Sequence, residues 1–86
     1  MEADRRCFLC GSRRNLERHH AFFGARRKAS ERYGMVVDLC MEHHRGRRGP
    51  HQDRGTDLLI KRYCQRKFEE THSRDEFIRI FGRNYL

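Results

Sequence analysis

Two short stretches in the N-terminal half have the composition of strands. Residues 16–22 form the first, and residues 35–39, which are apolar and β-branched, give the clearest strand signal in the chain. The segment between them is polar and basic, with a helical turn predicted over residues 28–33. Gly34 follows that turn at the position where glycine commonly ends a helix. The pattern therefore predicts two strands joined by a partly helical connection.

The spacing of apolar residues changes after the second strand, where helices are predicted. Residues 40–45 have the character of a helix start, which Gly46, Gly49 and Pro50 would end early. Beyond residue 56, a longer helix is expected because its larger side chains recur at helical spacing. That stripe comprises Leu59 with Ile60, Tyr63 with Cys64, and Lys67 with Phe68.

A last helix is predicted from the capping box Ser73-Arg74-Asp75-Glu76. Its apolar residues, which we expect to face a core, are Phe77, Ile78 and Phe81. Together the patterns predict a small α+β fold in a single domain, 1–86, with a metal-binding front over residues 5–52. Residues 53–86 form a helical extension that we expect to pack over the strands and to carry no chemistry.

Composition indicates that this domain needs help to stay folded and has a polyanionic partner. In 86 residues, 36% are apolar and 37% are charged, so burial alone offsets chain entropy poorly. The net charge of +8 comes mostly from arginine, the better bidentate ligand for phosphate. Charge that serves only solubility is the plain alternative. An anionic membrane is less favoured, because the charges do not line one face of an amphipathic helix.

Cysteine spacing predicts a structural zinc site. Two pairs, Cys7 with Cys10 and Cys40 with His43, each enclose two residues, and together they supply the four ligands of a tetrahedral ion. A bound zinc contributes roughly 10–16 kcal/mol that is coupled to folding. Residues 1–6 have no apolar core of a signal peptide, so a reducing cytoplasm is expected rather than disulfides. Cys64 lies outside both pairs and is predicted to be a buried helix residue.

The remaining histidines are expected to divide two roles between them. Neighbours on a strand point to opposite faces, so His19 and His20 cannot easily bind one ion together. Since His43 completes the zinc site, His44 must face elsewhere, and a strand-strand-helix arrangement would bring it beside His19. The two would then share an ion, with His20 unligated next to it. The alternative is a surface histidine pair, and His72 is interpreted as a loop residue.

Such an arrangement suits the hydrolysis of phosphodiesters. A divalent ion polarises the phosphate and stabilises the departing 3′ oxygen, while an uncoordinated imidazole takes the proton of the attacking water. Nearby arginines would neutralise the developing charge and contact DNA. The candidates are Arg18, Arg26, Arg27, Arg45, Arg47 and Arg48. Asp38 and Glu42 could bind metal, but each is more simply a solvated side chain or an ion-pair partner of a nearby arginine.

At these residues the sequence resembles the HNH endonucleases, also called ββα-metal nucleases. The motifs that carry the resemblance, over roughly residues 7–52, are Leu16-Glu17-Arg18-His19-His20, Val36-Val37-Asp38-Leu39-Cys40 and Cys40-Met41-Glu42-His43-His44. In particular the chain looks like the short HNH proteins of phages and prophages, and the closing stretch, residues 77–86, resembles that of some of them.

The resemblance implies a zinc-stapled ββα-metal core with C-terminal helices. It assigns Cys7, Cys10, Cys40 and His43 to structural zinc, His19 and His44 to a catalytic metal, and His20 to the general base. The family often has a later histidine near His51, which Gly46, Gly49 and Pro50 could fold back as a further metal ligand. A solvent-exposed loop position is the alternative for His51. We expect magnesium or manganese as the working ion, with zinc or nickel suited to the histidines.

Met35 departs from the family pattern, in which an asparagine at this position helps to fix the loop of the base histidine. This favours one rival, a non-catalytic zinc-stabilised nucleic-acid-binding module, while the spare histidines argue against it. A small protein-interaction adaptor is a second rival, although it needs neither the charge nor the histidine pairs. The expected partner is duplex DNA, and a homodimer or a phage or host partner protein stays open.

Overall fold

The computed structural model describes residues 5–86, which form a two-stranded antiparallel sheet and four α-helices. In chain order the elements are β1 (Leu16–His20), a 3-10 turn (Gly24–Arg26), α1 (Arg27–Arg32), β2 (Val36–Cys40), α2 (Met41–Arg45), α3 (Arg54–Phe68) and α4 (Arg74–Phe81). The predicted small α+β class is confirmed. The expectation that no signal peptide is present concerns residues 1–6, of which residues 1–4 lie outside the described residues.

Strands β1 and β2 pair in a register that fixes which histidine faces inward. Leu16 lies opposite Cys40, and His20 lies opposite Val36. Because side chains alternate along a strand, His19 is buried, with 2% of its surface exposed, and His20 lies on the other face. Strand β1 ends two residues earlier than predicted, since the N–H of Phe22 donates to a side chain, the hydroxyl of Ser30, at 3.2 Å.

The second strand and the following helix each begin one residue later than predicted. The N–H of Met35 donates to the carbonyl of Ser30 at 2.8 Å, so the connection between the strands still holds this residue. Helix α2 ends at Arg45, and the chain then crosses close over its C-terminal end. A Cβ on Gly49 would lie 2.7 Å from the carbonyl oxygen of His43, so only glycine fits this crossing.

Helices α3 and α4 share one hydrophobic core with the sheet, as expected. Phe77 is fully buried, and Ile60, Cys64 and Phe68 form the buried stripe of α3. The paired stripe predicted for α3 is wrong in half of its members: Leu59, Tyr63 and Lys67 are exposed, as is Ile78 of α4. Adjacent residues on a helix differ by about 100° in direction, so only one of each pair reaches the core.

Side-chain hydrogen bonds fix the start of α4 and attach the C-terminal residues to α3. The predicted capping box is confirmed, because the N–H of Glu76 donates to Ser73 Oγ at 3.1 Å and the N–H of Ser73 donates to Glu76 Oε1 at 3.2 Å. Buried Gln65 accepts the N–H of Tyr85 at 2.8 Å, which ties the C-terminal residues to α3. Over residues 5–86, no helix is long and apolar enough to cross a membrane.

Candidate functional site

Four predicted zinc ligands converge at the end of the sheet. Cys7 and Cys10 lie in a tight turn, closed where the N–H of Gly11 donates to the carbonyl of Cys7 at 2.9 Å. Cys40 ends β2, and His43 lies in the first turn of α2. All four ligand atoms lie within 4.8 Å of one another. We call Cys7, Cys10, Cys40 and His43 the cysteine cluster.

The chemistry and spacing of the cysteine cluster fit zinc. The sulfurs of Cys10 and Cys40 are 3.8 Å apart, and a tetrahedral zinc with Zn–S bonds of about 2.3 Å would separate two sulfurs by roughly that distance. Burial raises the pKa of Cys7, but backbone N–H groups, chiefly that of Cys40, stabilise its thiolate and bring the pKa to about 6. The cluster could therefore hold a metal such as zinc.

Three further histidines meet on the other side of α2. His19 comes from β1, His44 from α2 and His51 from the loop that crosses over α2. The ring of His19 lies 5.2 Å from each of the other two rings, and the three candidate ligand atoms all lie within 4.8 Å of one another. We call this group the three-histidine cluster.

The ring of His19 is buried and uncharged, as a metal-binding histidine would need to be. Its Nε2 is buried and has no hydrogen-bond partner among residues 5–86, an arrangement that costs roughly 1–3 kcal/mol when nothing compensates. Burial, followed by the nearby His44 and His51, lowers the pKa of His19 to about 4. The ring is therefore neutral at pH 7, so its lone pair is available to a cation. The three-histidine cluster could hold a divalent ion.

A carboxylate fixes the ring of His44. Glu17 Oε1 lies 2.7 Å from His44 Nδ1, and a carboxylate can only accept, so Nδ1 carries the proton and Nε2 keeps its lone pair. Arg45 holds the same carboxylate, with Nη2 2.8 Å from Glu17 Oε2. These two contacts lower the pKa of Glu17, the His44 hydrogen bond most. Partners of this kind fix the tautomer and the orientation of metal-binding histidines.

His20 is held in the same manner by a different carboxylate. Its Nε2 lies 2.7 Å from Oε1 of Glu31, which belongs to α1. Arg18 donates to both oxygens of Glu31, at 3.3 and 3.1 Å. The hydrogen bond from His20, and then Arg18, lower the pKa of Glu31, which is therefore ionised. His20 is not part of the three-histidine cluster.

A basic groove extends from the three-histidine cluster past His20. One cavity of about 230 Å³ is lined by the three-histidine cluster together with Arg18, His20, Phe23 and Arg27. A neighbouring cavity of about 600 Å³ is lined by Arg18, His20, Arg27, Lys28, Glu31 and Arg32. The two share Arg18, His20 and Arg27, so His20 lies where they meet. We call the two cavities together the basic groove.

The six arginines predicted to contact DNA lie in different places. Arg18 and Arg27 line the basic groove, whereas Arg45 pairs with Glu17, the carboxylate that holds His44. Arg26 is turned away, because its Nη1 donates to the carbonyl of Ile80 at 3.1 Å. Arg47 and Arg48 line a separate cavity of about 280 Å³ beside His43 of the cysteine cluster.

Two residues of the groove and two carboxylates that hold histidines are missing from the sequence prediction. Lys28 and Arg32 line the larger cavity, and Glu17 and Glu31 hold two of the histidines. Alternation along β1 could have revealed Glu17, since it shares the face of His19. No local signal indicates Glu31, because it lies 11 residues from His20 and meets it only through the fold.

The other singled-out residues have structural partners. Asp38 pairs with Arg5 at 2.8 Å, as one interpretation of the sequence expected. Cys64 is buried in α3, where burial raises the pKa of its thiol to about 12. The ring of His72 stacks on Phe68 with centroids 4.2 Å apart, away from both clusters.

Comparisons of this chain with protein-family models, curated proteins and solved structures find no match. The functional conclusions therefore depend on the geometry and chemistry of the two clusters and the groove.

Proposed function

We propose that this chain is an HNH-type, divalent-metal-dependent DNA endonuclease on a zinc-stabilised ββα-metal core. The observation that carries the proposal is the three-histidine cluster, contributed by β1, α2 and the following loop, beside an unligated His20. The antiparallel pair β1 and β2, followed directly by α2, has the strand-strand-helix order that such a core requires.

In this proposal each histidine has one task. The three-histidine cluster would hold the divalent ion, which would supply Lewis-acid stabilisation of the scissile phosphate and of the departing 3′ oxygen. His20 is the general base that takes the proton of the attacking water. Arg18 and Arg27, which share the groove with His20, neutralise charge on the phosphate.

The donor set favours a particular class of ion. The three-histidine cluster offers imidazole nitrogens, and the carboxylate of Glu17 beside it is engaged by His44 and Arg45. Imidazole suits zinc and nickel, whereas magnesium and manganese prefer oxygen ligands. We therefore favour zinc or nickel over the magnesium or manganese expected from the sequence.

DNA is the proposed substrate because of the charge of the groove. Four cationic side chains line its larger cavity: Arg18, Arg27, Lys28 and Arg32. Among residues 5–86, Glu31 is the one carboxylate that lines the same cavity, and the whole chain has a net charge of +8. A phosphate backbone matches such a surface, and binding would be steeply dependent on salt.

The second candidate is a zinc-stabilised nucleic-acid-binding module without catalysis. Met35 favours it, since its side chain offers no hydrogen bond to fix the loop after His20. The buried Nε2 of His19, which has no partner in the described part of the chain, weighs against it, because a binding module gains nothing from that group. The adaptor alternative leaves both the three-histidine cluster and the basic groove without a purpose.

Nicking of supercoiled plasmid by the zinc-loaded protein tests the proposal. The reactions contain EDTA, zinc, nickel, manganese or magnesium, with His51→Ala as the test variant and His72→Ala as the control. His51 is exposed, so its removal should leave the fold intact. We expect metal-dependent nicking that His51→Ala loses and His72→Ala keeps. Absence of nicking with every metal, in protein that still binds DNA, would instead support the binding module.

A further inference from the structure

The outward face of β1 is organised around Glu31. Arg18 and His20 lie two residues apart on this face, and both bond to the same carboxylate. The side chain of His20 is 10% exposed, whereas that of Glu31 is 54% exposed. A nearly enclosed imidazole is thus held by a carboxylate that itself lines the basic groove.

Ser30 fixes the helix that carries Glu31. The Ser30 side chain is fully buried, and its hydroxyl donates to the carbonyl of Met35 at 2.6 Å and accepts the N–H of Phe22 at 3.2 Å. The carbonyl of Met35 also accepts the N–H of Ala21 at 3.0 Å. Ser30 therefore closes the connection immediately after His20 and sets the position of α1 against the end of β1.

The hydrogen bond to Glu31 determines which nitrogen of His20 can act as a base. A carboxylate has no proton to donate at neutral pH, so His20 Nε2 carries the hydrogen and Nδ1 is left to accept one. The same hydrogen bond holds the ring of His20 in one orientation. An Asp or Glu behind a histidine base acts in this way in other hydrolases.

We propose that Glu31 is the positioning residue of the base His20, with Ser30 fixing the helix that presents it. Ser30 and Glu31 then supply the bracing that Met35 cannot, through the backbone carbonyl of Met35 and the ring of His20. The catalytic part of this inference depends on the proposed nuclease function, but the hydrogen bond between Glu31 and His20 does not.

If Glu31 served only to stabilise the fold, the variant Glu31→Ala would be destabilised. Its pair with Arg18 is exposed on both sides, and such pairs contribute little to stability. Glu31→Ala should therefore fold normally while freeing the ring of His20. Glu31→Gln keeps an acceptor oxygen but removes the charge. Glu70, exposed just after α3, provides the control variant Glu70→Ala, with the same change in net charge.

Proton NMR tests the hydrogen bond independently of activity. The His20 Nε2–H of the zinc-loaded wild type should give a downfield imidazole signal protected from exchange with water. Glu31→Ala should lose this signal, and Glu70→Ala should keep it. A signal that persists unchanged in Glu31→Ala, or is absent from the wild type, would overturn the proposal.

Single-turnover nicking at saturating protein tests the catalytic consequence. We expect Glu31→Ala to lower the rate constant about 10–100-fold, the usual effect of losing the partner that orients a functional histidine. Glu31→Gln should fall between wild type and Glu31→Ala, and DNA affinity should not weaken in either variant. Rates within twofold of wild type would refute the positioning role alone. Failure of the wild type to nick would refute the nuclease function itself.

Discussion

Replacement of Cys10 by serine isolates the contribution of the cysteine cluster to stability. Cys10 is the exposed member of the cluster, so Cys10→Ser removes a sulfur ligand without opening a cavity in the core. Its sulfur lies 3.8 Å from that of Cys40, the separation expected across a shared ion. A loss of stability that is seen only in the presence of zinc is therefore due to the missing sulfur ligand and not to a cavity in the core.

The expected magnitude follows from the ligand count. A structural zinc contributes roughly 10–16 kcal/mol, so one ligand of four accounts for about 3 kcal/mol. In a domain of this size each kcal/mol changes the melting temperature by about 4–8 °C. Cys10→Ser should thus melt about 12–24 °C below wild type when zinc is present. With excess chelator both proteins lose the contribution of the metal, so they should give the same, largely unfolded circular dichroism signal.

Thermal unfolding followed by circular dichroism measures both comparisons in one experiment. Wild type and Cys10→Ser are melted with stoichiometric zinc and again with chelator, and the zinc content of each sample is determined. Equal melting temperatures with zinc, or a deficit of the same size in chelator, would refute the assignment of Cys10 as a ligand.

Three further perturbations test the core, the groove and a surface ion pair. Phe77→Ala should lower the free energy of unfolding by about 3–5 kcal/mol in urea, because Phe77 is fully buried among aromatic rings; a smaller loss would contradict that packing. Arg27→Ala should weaken DNA binding and reduce the slope of log affinity against log salt by about one; an unchanged slope would remove Arg27 from the interface. The hydrogen bond from Arg5 lowers the pKa of Asp38. The stabilisation from this pair is therefore complete above the unfolded pKa of the carboxyl, and it is lost as pH falls through the folded pKa. Arg5→Ala should therefore cost at most about 1 kcal/mol at pH 7, since Arg5 is half exposed, and the cost should shrink as pH falls through the folded pKa of Asp38; a cost that does not fall with pH would contradict the pairing.

Local patterns predicted the elements and the cysteine cluster well. The spacing of two ligands within a turn is a local property, so Cys7 and Cys10 could be paired from sequence, and alternation along β1 separated His19 from His20. Glycines after α2 correctly indicated that the chain could bring His51 back.

Contacts between distant elements could not be predicted in the same way. Glu31 meets His20 because α1 packs on the outward face of β1, and no residue pattern encodes that packing. The side chain of Arg26 turns toward Ile80, although it is adjacent to the groove residue Arg27. Leu59 and Ile60 are equally apolar, and only the rotation of α3 against the core decides which is buried.

In the proposed nuclease, His20 is the base beside a metal held by the three-histidine cluster. Single-turnover nicking of supercoiled plasmid by His20→Ala tests it most directly, in protein shown to keep its zinc, its fold and its affinity for nickel at the cluster. We expect nicking to fall by about 10²–10⁴-fold while nickel affinity is unchanged. A rate equal to that of the wild type would contradict it.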